Sequence, residues 1–490
     1  MSPEYDKVGL EDIYGGQSGE TDDTFSRRSR RDPRSNVTLE RMLPWYDVRA
    51  EGATGDGSTD DTAAIRRSIT AAENNGGVVY LPEGVYRVTD ALTLSGTQVV
   101  FAGDGMETTI IDVTTSFNLN ALGVIVFASG EPAPVVRDLQ IRFTQPDTAT
   151  KGALTVYPPA IYAVAQPRFR VLRTKIVRAY DGIDMTGNSG GALIEDLQMS
   201  MFNIGIDIDG SLDSVRINNI HIWPFGLSAN QDDIFYEETT YGIQSGRMDD
   251  LHLNGGLFLC GTQLRLIRTA SGTTFGNVTN TGFDTYSGLV MQAGRLDIAG
   301  SHFTVGGTDY QAIEQTGGWL TITGCYFTAN AALTDPLVDL SGSDNARLII
   351  GQSLFNTGSQ NINLVYAITG GNRVVLVGNE FIRAVDTVYT AATVNIAAGA
   401  RLTAVGNRTS DKGTGTGDFF EVAEDNHHII ADNTFLDWTI NIPGGVLYTT
   451  HIHDNASLGD GDYENNQLIG RRHIMRFTGT ADGAGVATFA

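Results

Sequence analysis

Apolar residues in the second half of the chain recur in short alternating runs: "LDIAGSHF", "LTITGCYF", "LIIGQSLF", "VVLVGNEF", "LTAVGNRT" and "HIIADNTF". Aligned on their last residue, these end at Phe303, Phe327, Phe355, Phe381, Thr409 and Phe435, at intervals of 24, 28, 26, 28 and 26 residues. Weaker copies run upstream as "VRDLQI", "LRTKI", "IEDLQM", "INNIHI", "MDDLHL" and "NVTNTGF". Alternation predicts strands, and a fixed period of this length predicts stacked units that bury their apolar faces on one another. With strands in each unit the expected solution is a parallel β-helix, each coil about 4.8 Å above the last. Ser301, Ser353, Asn379, Asn407 and Asn433 share one polar repeat position with Cys325, a ladder expected to satisfy turn backbone.

A helical period stands out near the start. In "GATGDGSTDDTAAIRRSITAAENNGG", residues 52–77, Ala64, Ile65, Ile69 and Ala72 fall on one helical face. Thr59 is the expected N-cap, Asp60 and Asp61 put negative charge on the first turn, and Asn74-Asn75-Gly76-Gly77 ends the helix. A helix is therefore expected over 59–74. "VVYLPEGVYRV" follows as two strands about a Pro-Glu-Gly turn. A solenoid leaves unpaired strand edges at its open end, and a helix laid over the first coil would close it.

A second repeating strand carries the candidate chemistry: "GIDMTG" at 182–187 and "GIDIDG" at 205–210, with relatives "GIQSG" at 242, "AIEQTG" at 312 and "LVDLSG" at 337. Alternation sends Ile183, Met185, Ile206 and Ile208 inward, leaving Asp184, Asp207 and Asp209 on the outer face with Glu314 and Asp339 in the matching column. On adjacent coils the Asp184 and Asp207 backbones would lie about 5 Å apart, and Asp207 and Asp209 about 6.5–7 Å. Carboxyl pairs about 5–5.5 Å apart suit retaining glycoside hydrolysis, and about 6.5–9.5 Å suit inversion. Crowded carboxylates also raise one another's pKa, as a general acid requires. Solvent-facing Asp is equally an ordinary decoration of a β-helix.

The next segment, "HIWPFGLSANQDDIFYEETTYGIQSGRMDD", stretches the repeat interval to 31 residues, so a loop should leave the solenoid there. It adds Asp233 and Glu237 as candidate acids and Trp223, Tyr236 and Tyr241 as faces on which sugar rings stack. Arg247 could pair with a substrate carboxylate, and His221 is read as a rim or structural residue. Glu314 and Asp339, with Asp284 between the two regions, form a second-ranked cluster.

Across 490 residues the formal net charge is -24, which argues against nucleic-acid binding. Cys260 and Cys325 make no disulfide framework or zinc spacing. Nothing approaches the roughly 20 apolar residues of a membrane span, and no signal-peptide core stands at the N-terminus. Residues 1–46 carry seven carboxylates and one Lys in the first 25 positions, then "RRSRRDPR", and lack the apolar period of a core. They read as a disordered tail or a docking arm. After about residue 445 the repeat dissolves, and a small C-terminal β piece is expected over 446–490, leaving 47–445 as the solenoid.

"VRAEGATGDGSTDDTAAIRRSITAA…GGVVYLPEGVYRV" resembles the opening signature of the pectate-lyase-like right-handed parallel β-helix superfamily. That resemblance implies an all-β solenoid with a capping helix, and a polysaccharide as partner. Members include phage tailspikes that degrade host polysaccharide, polysaccharide lyases, uronan epimerases and inverting glycoside hydrolases. A tailspike is the expectation: a virion protein, homotrimeric, docked to a tail or baseplate protein through residues 1–46, binding and cleaving a bacterial surface polysaccharide without a cofactor or metal. A non-enzymatic receptor-binding spike and a lyase or epimerase are the alternatives. A lyase would call for a Lys or Arg base and Ca²⁺ held by carboxylates, and no EF-hand or RTX loop is present.

Overall fold

The repeats of the second half fold as three short strands separated by corners, whereas upstream Arg170–Thr186 and Leu193–Asp209 each run on as one 17-residue strand; strands pair in parallel with their counterparts one coil on. A computed structural model of the protein describes residues 44–457, apart from segments 96–98, 129–132, 331–332, 341–344, 359–360, 368–370, 384–390, 398, 412–418, 423–427, 437–439, 442–450 and 454–455. One coil shows the plan. Arg295–Ala299 lies in a first sheet, His302–Val305 in a second and Ile313–Gln315 in a third. The next coil stacks on it with Arg295 opposite Trp319, Phe303 opposite Phe327 and Glu314 opposite Asp339.

The core is the inside of this three-sided tube. Leu296, Ile298, Phe303, Val305 and Ile313 are all buried, as the alternation requires. Phe258, Phe283, Phe303, Phe327, Phe355 and Phe381 stack in one column with centroids 4.5–5.7 Å apart. The polar repeat position forms the ladder expected of it. The Asn379 N–H donates to Asn407 Oδ1 at 3.0 Å, the Asn407 N–H to Asn433 Oδ1 at 2.8 Å, and the Asn407 Nδ2 to the Leu376 carbonyl at 2.9 Å.

The corner between the first and second sheets explains another periodic choice. Its residue sits at left-handed φ in coil after coil: Asp138 at 59°, Asp196 at 53°, Asn219 at 51°, Asn280 at 52° and Gly300 at 59°. Asp, Asn and Gly tolerate that region best. Arg173, at 44°, is an exception, and its guanidinium binds the Asp138 carboxylate with Nη2 at 2.9 Å.

Helix α1, Thr62–Asn75, covers the first coils and buries Ala64, Ile65, Ile69 and Ala72. It starts three residues later than expected. Residues Asp56–Asp60 are instead a strand paired with Gly84–Val88, and Asp61 takes the N-cap position. The Asp61 carboxylate accepts the N–H groups of Thr54 at 2.7 Å and Gly55 at 3.1 Å, tying the preceding loop rather than capping the helix. Gly76, at φ 68°, ends it. Burying Ile65 and Ile69 contributes about 1.5–3 kcal/mol each.

The solenoid exceeds both expected limits. Trp45–Asp47 already pairs with Gly77–Leu81, and Ala456–Ser457 still pairs with Thr434–Leu436. The expected docking arm up to residue 43 and the C-terminal piece from 458 onward lie outside the described residues.

Candidate active site

The third sheet presents one outward column along the solenoid. Tyr162, Asp184, Asp207 and Gln244 occupy successive coils in register, and Arg265, Val290, Glu314 and Asp339 continue it. The inward neighbours Ile183, Met185, Ile206 and Ile208 are buried. Asp207 and Glu314 are thus four coils apart, about 19 Å, with Arg265 midway. The two acidic clusters that looked like rivals in the sequence share a single face.

Two excursions leave the same corner, between the second and third sheets, and lock together beside this column. One is residues 144–160; the other, 223–240, contains helix α2, Ala229–Phe235. Ser228 and Gln231 close a capping box on α2. Asp147 accepts from Ser228 Oγ at 2.5 Å and Asn230 Nδ2 at 3.1 Å, while Gln231 Nε2 donates to the Pro146 carbonyl at 2.7 Å. Lys151 Nζ donates to the Thr239 carbonyl at 2.8 Å. This anchorage brings Lys151 within electrostatic reach of both Glu237 and Asp181.

The local fields divide the acids into different roles. Burial raises the Asp207 carboxyl to about 6; its Gln244 hydrogen bond, 3.2 Å, opposes the rise, and Asp184, Asp181 and Asp209 add to it. Burial also pushes Asp181 up, offset in part by Asn203 Nδ2 at 2.8 Å and the Ile204 N–H at 3.2 Å. Burial pushes the Lys151 ammonium down, against the pull of Glu237 and Asp181. Further along, burial raises Glu314, with Asp339 and Glu238 adding and Arg265 opposing.

The remaining expected residues are dispersed by the fold. Asp184 accepts from the N–H and hydroxyl of Thr186 at 3.1 and 2.8 Å through one carboxylate oxygen. Asp209 is an architectural acceptor: it takes the Arg247 N–H at 2.8 Å, the Thr269 hydroxyl at 2.8 Å and the Ser271 hydroxyl at 3.4 Å. Arg247 itself sits in the turn leading to the first sheet and binds Asp249 at 3.1 Å. His221 belongs to the second sheet, where it meets the rings of Trp223 and Phe225 at 5.5 and 5.1 Å. Asp284 is also on the second sheet, opposite Thr304.

Tyr236 stacks on Tyr286 at 4.5 Å, and Tyr286 meets Tyr310 edge-on at 4.8 Å, forming an aromatic wall across coils. Tyr241 lies under the Arg265 guanidinium at 4.5 Å. Glu237 is half-buried, whereas Asp233 is exposed on α2.

Three residues of the site went unread in the sequence. Arg265 was legible, because Leu264 and Leu266 alternate inward and place it outward. Asp181 follows a register shift between Ala179 and Asp181, which breaks the alternation. Lys151 arrives on a loop whose docking no local pattern records.

Comparison with known proteins agrees with this architecture. The family model described as "Rhamnogalacturonase A/epimerase, pectate lyase-like" matches residues 45–133. Alginate lyase 7 of Azotobacter vinelandii is 38% identical over 125 residues, 23% of this chain and 15% of that protein. Mannuronan C5-epimerase AlgE4 of the same organism is 36% identical over 115 residues, 22% of this chain and 21% of that protein. The chain therefore spans only a minor part of these relatives. Among solved structures, the A-module of Azotobacter vinelandii mannuronan C-5 epimerase AlgE6 superimposes with TM-score 0.51 at 17% identity, covering 74% of this chain and 99% of that one. Pre-mature bacteriophage phi29 gene product 12 gives TM-score 0.51 at 14% identity, covering 86% and 58%. The opening coils thus match a pectate-lyase-like family model, and the shared solenoid shows that the chain has the parallel β-helix fold.

Proposed function

We propose that the chain is a phage tailspike that binds a bacterial surface polysaccharide along the third sheet and cleaves it internally by hydrolysis. The observation that carries this reading is Asp207: a carboxyl raised to about 6 by burial, with Asp184 beside it on the next coil, on the face framed by the two locked loops. A carboxyl so tuned keeps its proton up to about pH 6 and can deliver it to the glycosidic oxygen as the bond breaks. Asp184, in register about 4.8 Å away along the coils, is placed for the nucleophile of a retaining pair. The tyrosine wall offers stacking faces for neighbouring sugars. Homotrimer formation, docking through residues 1–46 and a place on the virion belong to the same proposal.

A second reading has its own observation. Lys151, half-buried and with its ammonium destabilised, lies near Glu237 and Asp181, and a lysine so placed can abstract a proton next to a uronate carboxyl. The names of the curated relatives, a lyase and epimerases, favour the same chemistry. End-group analysis of the products separates the two. New reducing ends without ultraviolet absorbance support hydrolysis, and unsaturated uronate absorbance that disappears in Lys151→Ala supports elimination. Tight binding with no change in polymer length would leave a spike that only holds its receptor.

A further inference from the structure

The outward face of the first sheet carries a second, unrelated pattern. At the first position of successive strands stand Arg295, Trp319, Arg347, Arg373 and Arg401, preceded by Phe275 at the second position of its strand, each opposite the next in backbone register. The stripe is straight, parallel to the solenoid axis and about 24 Å long at the coil spacing. Phe275 is 51% and Trp319 49% exposed, well beyond the usual for such rings. The Arg347 guanidinium lies over the Trp319 ring at 4.3 Å.

Like charges directly opposite on neighbouring strands are destabilising. Here Arg347, Arg373 and Arg401 stack in register, and none has an ion pair among the described residues. Arg295 reaches only a weak contact with Asp297, 3.6 Å, with both side chains about half exposed. A chain with 57 carboxylates and 33 basic residues had ample acid to neutralise this stripe. Instead Arg347, Arg373 and Arg401 stand in register on neighbouring coils without an ion pair among the described residues.

We infer that this stripe is a second glycan-binding site, selective for carboxylated polysaccharides. Guanidinium groups pair with carboxylates in bidentate fashion, and the interleaved rings stack on sugar faces. A linear array of cations suits a linear polyanion, because each coil adds one contact without bending the ligand. The cation–π contact holds Arg347 in place before binding, which lowers the ordering cost. The site is independent of chemistry at Asp207: it anchors a polymer on one face of the solenoid while another face is free to act. A second copy of this chain fits less well, since a copy applying the same face would set arginines against arginines.

The test is affinity electrophoresis and calorimetry of the full chain with polygalacturonate, neutral dextran and a single-stranded oligonucleotide. The variants are Arg347→Gln/Arg373→Gln/Arg401→Gln and Trp319→Ala, each checked for native melting and for mass by sedimentation. Polygalacturonate should bind and dextran should not. The triple variant should weaken binding at least tenfold, and 0.5 M salt should do the same to the unmodified chain by screening. Failure of polygalacturonate to bind, or binding unaffected by the triple variant, would overturn the inference. Tighter binding of the oligonucleotide, or a change of mass in the triple variant, would also overturn it, pointing respectively to nucleic acid or to an interface between copies.

Discussion

Replacing Asp207 by Asn removes a charge but keeps a side chain that can still meet Gln244. In the folded chain the carboxyl is raised from 3.8 to about 6, so the native state binds its proton more tightly than the unfolded state does. Well below 3.8 both states are protonated and the residue costs nothing. As pH rises through the interval from 3.8 to about 6 the unfolded chain gives up its proton first, so native stability falls, and above about 6 the whole penalty is present. The shift corresponds to about 3 kcal/mol at full value. Asp207 is only partly buried, and solvent screening there reduces this to about 1–2 kcal/mol. Asp207→Asn should therefore melt about 1–3 °C above the unmodified chain at pH 8 and level with it at about pH 3. Calorimetric melting at the two pH values reads the difference. An offset that is the same at both, or a variant less stable at pH 8, would refute the electrostatic account of this carboxyl.

Other expectations follow from the same structure. If protonated Asp207 is the general acid, glycan cleavage should decline as pH rises through about 6; a profile flat from pH 5 to 8 would exclude it. Phe327 is fully buried and stacked at 4.9 and 4.5 Å on the rings either side, so Phe327→Ala should cost about 3–5 kcal/mol in denaturant unfolding. Asn407→Ala leaves the Asn379 N–H and the Leu376 carbonyl without their partner, and should cost about 1–3 kcal/mol per group, with faster amide exchange at Asn379. Ile65→Lys should lift α1 from the first coils, and light scattering should then show association through the uncovered strand edges.

The solenoid was readable because a β-helix writes its geometry into the sequence once per coil. The phenylalanine column, the Asn407 ladder and the buried Ile206 and Ile208 are all positions of one repeating strand pattern. The start of α1 was misplaced because Asp60 and Asp61, good first-turn residues in isolation, were taken up by a strand and a loop tie that depend on the coil below. At the candidate site, the register of Asp184 with Asp207 and of Glu314 with Asp339 was fixed by alternation alone. The contributions of Lys151 and Asp181 were not, since each depends on how a loop or corner packs across coils. The arginine stripe was written in plain view, at the first position of the strands from "RLDI" to "RLTA" with Trp319 of "WLTI" among them, and is recognised once the strands are stacked.

The most direct test is the size distribution of a panel of bacterial capsular and O-antigen polysaccharides before and after incubation with the unmodified chain and with Asp207→Asn. The account predicts that one polymer collapses to discrete short oligosaccharides, and that the variant still binds it but cuts it at least about a hundredfold more slowly. Cleavage at an undiminished rate by Asp207→Asn, or binding of a polymer that neither protein shortens, would contradict it.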